Sequence, residues 1–431
     1  MSKGLLRRFL TSGVKRGRLG VVFADGSAET FGTPAEDFPE IVIRFTDDAV
    51  PRDIILDPRL GAAEAFMDGR LVIEEGDVMG LVSLLRANNR WDKGGEIGPP
   101  RWTRKLKNRA TWAFEKINDQ ISAKSNVAHH YDIGNDLYAM MLDEEHWQYS
   151  CGYWPKDDLT LGEAQRAKLA HIAAKLAIAP GNSVLDIGCG WGGMAIFLAQ
   201  NYDVRVLGIT LSEEQLALAR KRADDAGVAD RVEFALIDYR DLASQKRSFD
   251  RIVSVGMFEH VGQPQFMTFF EACANLLKDD GVMLLHTIGR MGQPGTTDAF
   301  TRKYIFPGGY IPALSETLAA SEKFRLIPSD IETLRLHYAK TIREWYANCL
   351  ANEEAIVSLY DERFFRMWTF YLAGAATVFD HGSMCNFQIQ YVRDRSALPI
   401  TRDYIADEEA RLMDARKLAA TPVPPAQART A

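Results

Sequence analysis

The chain has 431 residues, with 51 Lys and Arg against 58 Asp and Glu, for a net charge of −7. That length exceeds one average domain, so two are expected, and the acidic balance speaks against a general nucleic-acid binder. Five cysteines, at 151, 189, 273, 349 and 385, are odd in number and scattered; they offer neither a disulfide framework nor a metal spacing and fit a reducing cytoplasm.

The first ten residues are basic but lack a long apolar core or a cleavage site. No run approaches the roughly twenty apolar residues that span a bilayer, so membrane contact is expected only from the surface. Residues 1–90 read as a small α+β accessory domain, with strands at 21–23 and 41–45 and helices at 60–67 and 78–85. It holds no catalytic constellation. A lipid-facing or dimerising role and a plain packing role both stay open. A linker follows at 91–124. Between 86 and 124, ten Lys and Arg face four Asp and Glu, interleaved with Trp91, Trp102 and Trp112. A charge run of this kind reads as a solvated helix face. With tryptophan it also suits the headgroup zone of an anionic bilayer, where each basic residue contributes about 1 kcal/mol.

The catalytic domain is expected at 125–400. Residues 127–138 and 147–154 mix polar, aromatic and small side chains without periodicity, as an active-site lid does. His129 and His130 have no further ligands at a useful spacing, so no metal is expected. After a helix at 161–176, an apolar strand at 184–187 leads into Gly188, Gly190 and Gly192 and then a helix from Met194. Glycines there let the backbone turn sharply and approach a ligand. The spacing G-x-G-x-G-G departs from the dinucleotide pattern G-x-G-x-x-G. A second strand from Val204 ends at Thr210, with Gln215 in the next helix. A third at 232–237 ends in Asp238-Tyr239, an acid and a ring suited to an adenine. A fourth at 250–255 leads into Glu259-His260, and a fifth at 281–289 carries His286. Residues 290–330, rich in Gly and Pro, read as an insertion over the site. Aromatic helices between Tyr338 and Phe379 offer apolar walls for a long chain, or simply core. A last strand at 387–392 precedes a C-terminal helix and loose tail at 401–431. The strand ends resemble the class I S-adenosylmethionine-dependent methyltransferase fold, a Rossmann-like, doubly wound α/β sheet.

Five motifs in order make the resemblance specific: His130-Tyr131-Asp132-Ile133-Gly134-Asn135, Tyr149-Ser150-Cys151, the 184–192 glycine turn, 255–260 and Leu285-His286-Thr287-Ile288-Gly289. Together they resemble the cyclopropane-fatty-acyl-phospholipid synthases, which include the mycolic acid cyclopropane synthases. The resemblance implies an S-adenosylmethionine-dependent enzyme that adds a methylene across the cis double bond of an unsaturated phospholipid acyl chain. It further implies a carbocation deprotonated by bicarbonate, which Cys151, Glu259, His286 and Tyr338 hold with the backbone of Ile288. For S-adenosylmethionine it implies Tyr149, Ser150, Asp186, Gly188, Gly190 and Gly192 toward the methionine end, Thr210 and Gln215 at the ribose, and Asp238 and Tyr239 at the adenine. A cytoplasmic protein, peripheral at the inner face of the membrane and able to form a homodimer, is the matching expectation. Ala375 stands where many relatives carry Cys, so a thiol nucleophile at that position is ruled out here. Two rivals stay open: a methyltransferase leaving a methyl-branched or methylated unsaturated chain, and a catalytically silent lipid- or cofactor-binding protein.

Overall fold

A computed structural model describes residues 2–95 and 134–414. Residues 130–133 of the first motif, most of the linker and the tail beyond 414 lie outside the described residues.

The N-terminal unit is a four-stranded sheet in the order β2-β1-β3-β4, with β1 at Arg18–Val22, β2 at Ala28–Phe31, β3 at Glu40–Phe45 and β4 at Leu71–Glu75. Leu19 and Val21 alternate inward with Ile41, Ile43 and Phe45, and Leu6 and Leu10 of helix Ser2–Gly13 close the core over them. Asp57 and Asp77 begin helices Pro58–Met67 and Val78–Ala87 by accepting from the N–H of Leu60 and Gly80.

The larger sheet has seven strands in the order β10-β11-β9-β8-β5-β6-β7. They are β5 Asn182–Ile187, β6 Val204–Thr210, β7 Val232–Leu236, β8 Phe249–Val255, β9 Leu277–Arg290, β10 Ile327–Leu334 and β11 Met384–Val392. Strands β5 to β9 run parallel, and β11 runs antiparallel between β9 and β10. Their near-continuous apolar character follows from burial on both faces. From β5 the chain winds first to β6 and β7, then back to β8 and β9. The switch point therefore lies at the carboxyl ends of β5 and β8, where a crevice for a ligand forms.

The expected insertion over 290–330 is corrected here. Strand β10 is part of the main sheet and helix Leu314–Ser321 packs on helix Phe266–Leu276 beside it, so only about 291–313 is left as an insertion. Strand β10 sits at the sheet edge with Pro328, Ser329, Asp330 and Glu332, a polar sequence that an edge tolerates and a pattern search passes over.

Helix Glu362–His381 joins the two units, packing on His337–Ala351 on one side and on Pro58–Met67 and Val78–Ala87 on the other. Lys303 to Glu64 at 2.7 Å and Arg363 to Asp68 at 2.8 Å fasten the same seam. Among the described residues, no helix is long and apolar enough to cross a membrane.

Candidate active site

At the carboxyl end of β5 the backbone turns left-handed at Gly188, with φ of 81°, and the N–H groups of Gly188 and Cys189 both donate to the Ile209 carbonyl. The turn borders a cavity that Tyr149, Ser150, Asp186, Gly188, Gly190, Thr210, Gln215, Asp238 and Tyr239 all line. Gly192 stands apart from it. Also left-handed, it begins helix Gly193–Asn201, and a Cβ there would stand 2.6 Å from the Phe234 ring. Its smallness serves helix-to-sheet packing.

Inside the cavity the polar groups divide into engaged and free. Thr210 Oγ1 donates to Gln215 Oε1 at 2.8 Å. Asp238 grips the Arg240 guanidinium at 2.7 and 2.8 Å and caps the following turn at the Arg240 N–H. Asp186 is different. Its Oδ2 is sealed from bulk water without a hydrogen-bond partner, and burial pushes its carboxyl up to about 7 against the opposing pull of the Lys168 charge.

Beside this cavity lies a drier cluster. Glu259, in the short turn after β8, accepts from the Ile288 N–H through Oε1, while Oε2 is sealed and without a partner. Burial raises its carboxyl to about 7, opposed by the Ile288 N–H and the Thr287 hydroxyl. His286 is held between Asn386 at 3.0 Å and Gln388 at 3.1 Å on β11, and burial pushes its imidazole well down, leaving it neutral. A neutral ring has one donor and one acceptor nitrogen, so one of the two amides must present oxygen to it.

Residues 151–154 are tied to helix His337–Ala351. The Gly152 N–H and the Trp154 indole both donate to Thr341 Oγ1 at 3.0 Å, and the Trp154 N–H donates to His337 Nδ1 at 2.9 Å. This brings Cys151 and Tyr338 into one buried apolar cluster, against which Ile288, Tyr149 and Ala375 pack. Burial drives the Cys151 thiol far up, so it stays protonated. Tyr338 meets Phe379 at 4.8 Å and Trp345 at 5.7 Å, and Tyr149 meets Trp345 at 5.1 Å. Cys385 belongs to a different cluster, with Leu285 and Ile389, so it does not replace a thiol at 375.

Lys168 escaped the sequence reading because it sits inside a predicted helix, where a lysine reads as solvated. Here it is fully buried; Nζ donates to Ser150 Oγ at 3.0 Å and to Gln148 Oε1. Gln165, one turn earlier, donates to the Ser150 carbonyl at 3.0 Å. Asp143 fixes the other end of this strap, accepting from the N–H groups of His146 and Gln148 at 2.6 and 2.9 Å. Residues 147–150, expected as part of a lid, are thus a fastened wall, continuous with 143–146. The available signal was the stripe Gln165, Lys168, His171 and Lys175, spaced by three and four on a helix that has to cover the sheet.

Gly188→Ala tests the turn. A Cβ at that position would stand 2.7 Å from the Met257 side chain, and the left-handed backbone adds roughly 1–2 kcal/mol for any L-residue. With overpacking of about 1–3 kcal/mol, denaturant titration should show a loss of about 2–5 kcal/mol. An unchanged midpoint would mean that the turn relaxes freely.

The sheet order, the glycine turn and the crevice define a class I S-adenosylmethionine-dependent methyltransferase fold. The mycolic acid cyclopropane synthase CmaA1, solved with SAH and CTAB, superposes with a TM-score of 0.59 at 33% identity, covering 64% of this chain and 99% of that one. Residues 118–389 match the family model for mycolic acid cyclopropane synthetase, and the chain belongs to that family. The cyclopropane-fatty-acyl-phospholipid synthase of Escherichia coli K12 is 44% identical over 264 residues, which make up 61% of this chain and 66% of that enzyme, a little under two thirds of its length. A probable fatty acid methyltransferase of Pseudomonas putida is 39% identical over 297 residues, 67% of this chain and 75% of its own.

Proposed function

We propose that this protein uses S-adenosylmethionine to add a methylene across the cis double bond of an unsaturated acyl chain in a membrane phospholipid. The observation that carries the reading is Glu259: a carboxylate buried beside an aromatic cluster, one oxygen fixed on a backbone N–H and the other free. The lining of the cavity suits the cofactor: the Asp186 carboxyl, with Oδ2 unpartnered, would offer a charge to its cationic end, a Cβ at Gly190 would meet nothing, and Thr210, Gln215, Asp238 and Tyr239 would hold ribose and adenine. When bound it supplies an electrophilic methyl group on a sulfonium sulfur, and bicarbonate supplies a small base.

The rest falls to the chain. An alkene donates its own electron pair, so no side-chain base is needed before the new C–C bond forms. Positive charge then rests on the second alkene carbon until the new methyl group gives up a proton and its C–H electrons close the ring. Water would trap that cation, and Tyr149, Trp345, Tyr338 and Phe379 exclude it. Their ring faces also favour a cation. Bicarbonate would be held by Glu259, whose Oε2 could accept its hydroxyl, with Tyr338 as donor and Cys151 as a weak one. The Ile288 N–H is already spent on Glu259 Oε1 and both nitrogens of neutral His286 on Asn386 and Gln388, so these two would donate to the anion only by exchanging those partners; a neutral His286 adds no charge that would compete with the cation.

A second reading, methylation without ring closure, has the Pseudomonas relative's name in its favour. We also propose that the protein works peripherally at the inner, cytoplasmic face of the membrane, on the basic, tryptophan-bearing composition of residues 86–124. Mass spectrometry of lipids from cells rich in cis-monounsaturated phospholipid, with and without this protein, followed by NMR, decides between them. A gain of one CH2 with upfield cyclopropane protons is expected. A methyl signal with retained vinyl protons selects the second reading, and no mass gain overturns both.

A further inference from the structure

His286 and Gln388 stand directly opposite each other where β9 and β11 pair antiparallel, so their side chains share one face of the sheet. Asn386, two residues before Gln388, reaches the same ring from the diagonal position, and all three are buried. Each amide sets its NH2 group against a ring nitrogen: Asn386 stands 3.0 Å from His286 Nε2, and Gln388 stands 3.1 Å from His286 Nδ1. A neutral imidazole accepts at only one nitrogen. One amide therefore turns over, and the two differ in what the turn changes. Asn386 Nδ2 also donates to the Phe387 carbonyl at 3.4 Å, a bond that a turn would lose. Gln388 Oε1 is sealed from solvent without a partner, and turning it toward Nδ1 gives it one.

The surroundings of the ring act in the same sense. Burial, and then Lys168, Lys175 and His171 on helix Leu161–Leu176, oppose a second proton on His286, while Glu332 on β10 favours one. On its other side β8 sets the apolar Val255 beside it. Resting on the methylene-transfer reading, we propose that Gln388 is a positioning residue that, with Asn386, locks His286 as the neutral tautomer with its proton on Nδ1, so that the ring borders the anion site without adding a charge or an acid to it. A second proton would place a positive charge beside the cation formed on the acyl chain, and an acid beside the base that has to deprotonate it. An amide partner suits this task, since a carboxylate at the same place would favour the charged ring.

Histidine-selective ¹⁵N NMR of the full chain reads the tautomer without any turnover, with the His286 signals identified by their loss in His286→Gln. We expect Nδ1 protonated and Nε2 bare from pH 6 to pH 8. In Gln388→Met, close in size but without an acceptor, both tautomers should be populated. In Gln388→Glu both ring nitrogens should carry protons at pH 6, and turnover there should fall about tenfold or more below that of the unsubstituted chain and recover toward pH 8, with S-adenosylmethionine affinity unchanged. A proton on Nε2 in the unsubstituted chain overturns the proposal. So does an unchanged His286 spectrum in Gln388→Met, which would leave Gln388 a packing residue. Because the tautomer is read without substrate, failure of the lock and failure of the methylene-transfer reading are separate results.

Discussion

Glu259→Gln should lower turnover by about 10²–10⁴-fold, the range for a misplaced acid–base group, while leaving S-adenosylmethionine binding intact and making the protein no less stable above pH 7. The glutamine carbonyl can still accept from the Ile288 N–H, so the turn after β8 keeps its anchor. What changes is the other atom: an NH2 group takes the place of the free Oε2, and a donor there cannot receive the hydroxyl of the anion. Stability moves in the opposite direction. Glu259 rises from 4.5 to about 7 on folding, so between those values the native state keeps a proton that the unfolded chain has lost. Stability therefore falls as pH rises through that window, and above pH 7 the penalty is constant at about 3 kcal/mol. Glutamine carries no such penalty. Thermal unfolding at pH 6 and pH 8 should show the variant gaining on the unsubstituted chain at the higher pH. Near-normal turnover would remove Glu259 from the anion site, and a pH-independent difference in stability would remove the buried carboxylate from the argument.

Much of the cofactor crevice could be read from the chain because it is local. A parallel strand followed by glycines needs only a few consecutive residues to declare itself, and the ends of β6, β7 and β8 recur at βα spacing. The proposed anion site is harder, because Cys151, Glu259, His286 and Tyr338 come from four separate segments: Glu259 reaches the Ile288 N–H only when β9 pairs with β8, and Cys151 joins Tyr338 only when residues 151–154 lie on the helix at 337–351. Motif resemblance, not spacing, singled them out. Gly192 shows the limit of reading glycines alone: one of the three serves packing against Phe234, and a sequence does not say which side of a turn lacks room. The polar edge strand β10 and the helix Ser2–Gly13 escaped for a related reason, since each is stabilised by a neighbour far along the chain. Lys168 escaped because burial of a charge depends on the partner that offsets it.

Lys168→Met should weaken S-adenosylmethionine binding more than tenfold at pH 7 and shift its pH dependence to the alkaline side. Two opposing influences set the Asp186 carboxyl: burial raises it, and the Lys168 charge lowers it. Removing the lysine leaves burial alone, so Asp186 keeps its proton to higher pH, and each unit of that shift costs about tenfold in the fraction ionised below it. Lys168 itself falls from 10.5 to about 7 through burial. A lysine depressed on folding costs stability below its folded value, and that cost is relieved as pH rises from 7 toward 10.5. The methionine variant, which has no such cost, should therefore compare best with the unsubstituted chain at low pH and worst near pH 9. Its strap also loses the ammonium that holds Ser150 and Gln148, and Lys168→Arg should restore part of the affinity by returning the charge. Titration of S-adenosylmethionine from pH 6 to pH 9 checks this directly. If the methionine variant binds with the same affinity and the same pH dependence as the unsubstituted chain, Lys168 is only a packing residue and the cofactor does not need Asp186 ionised.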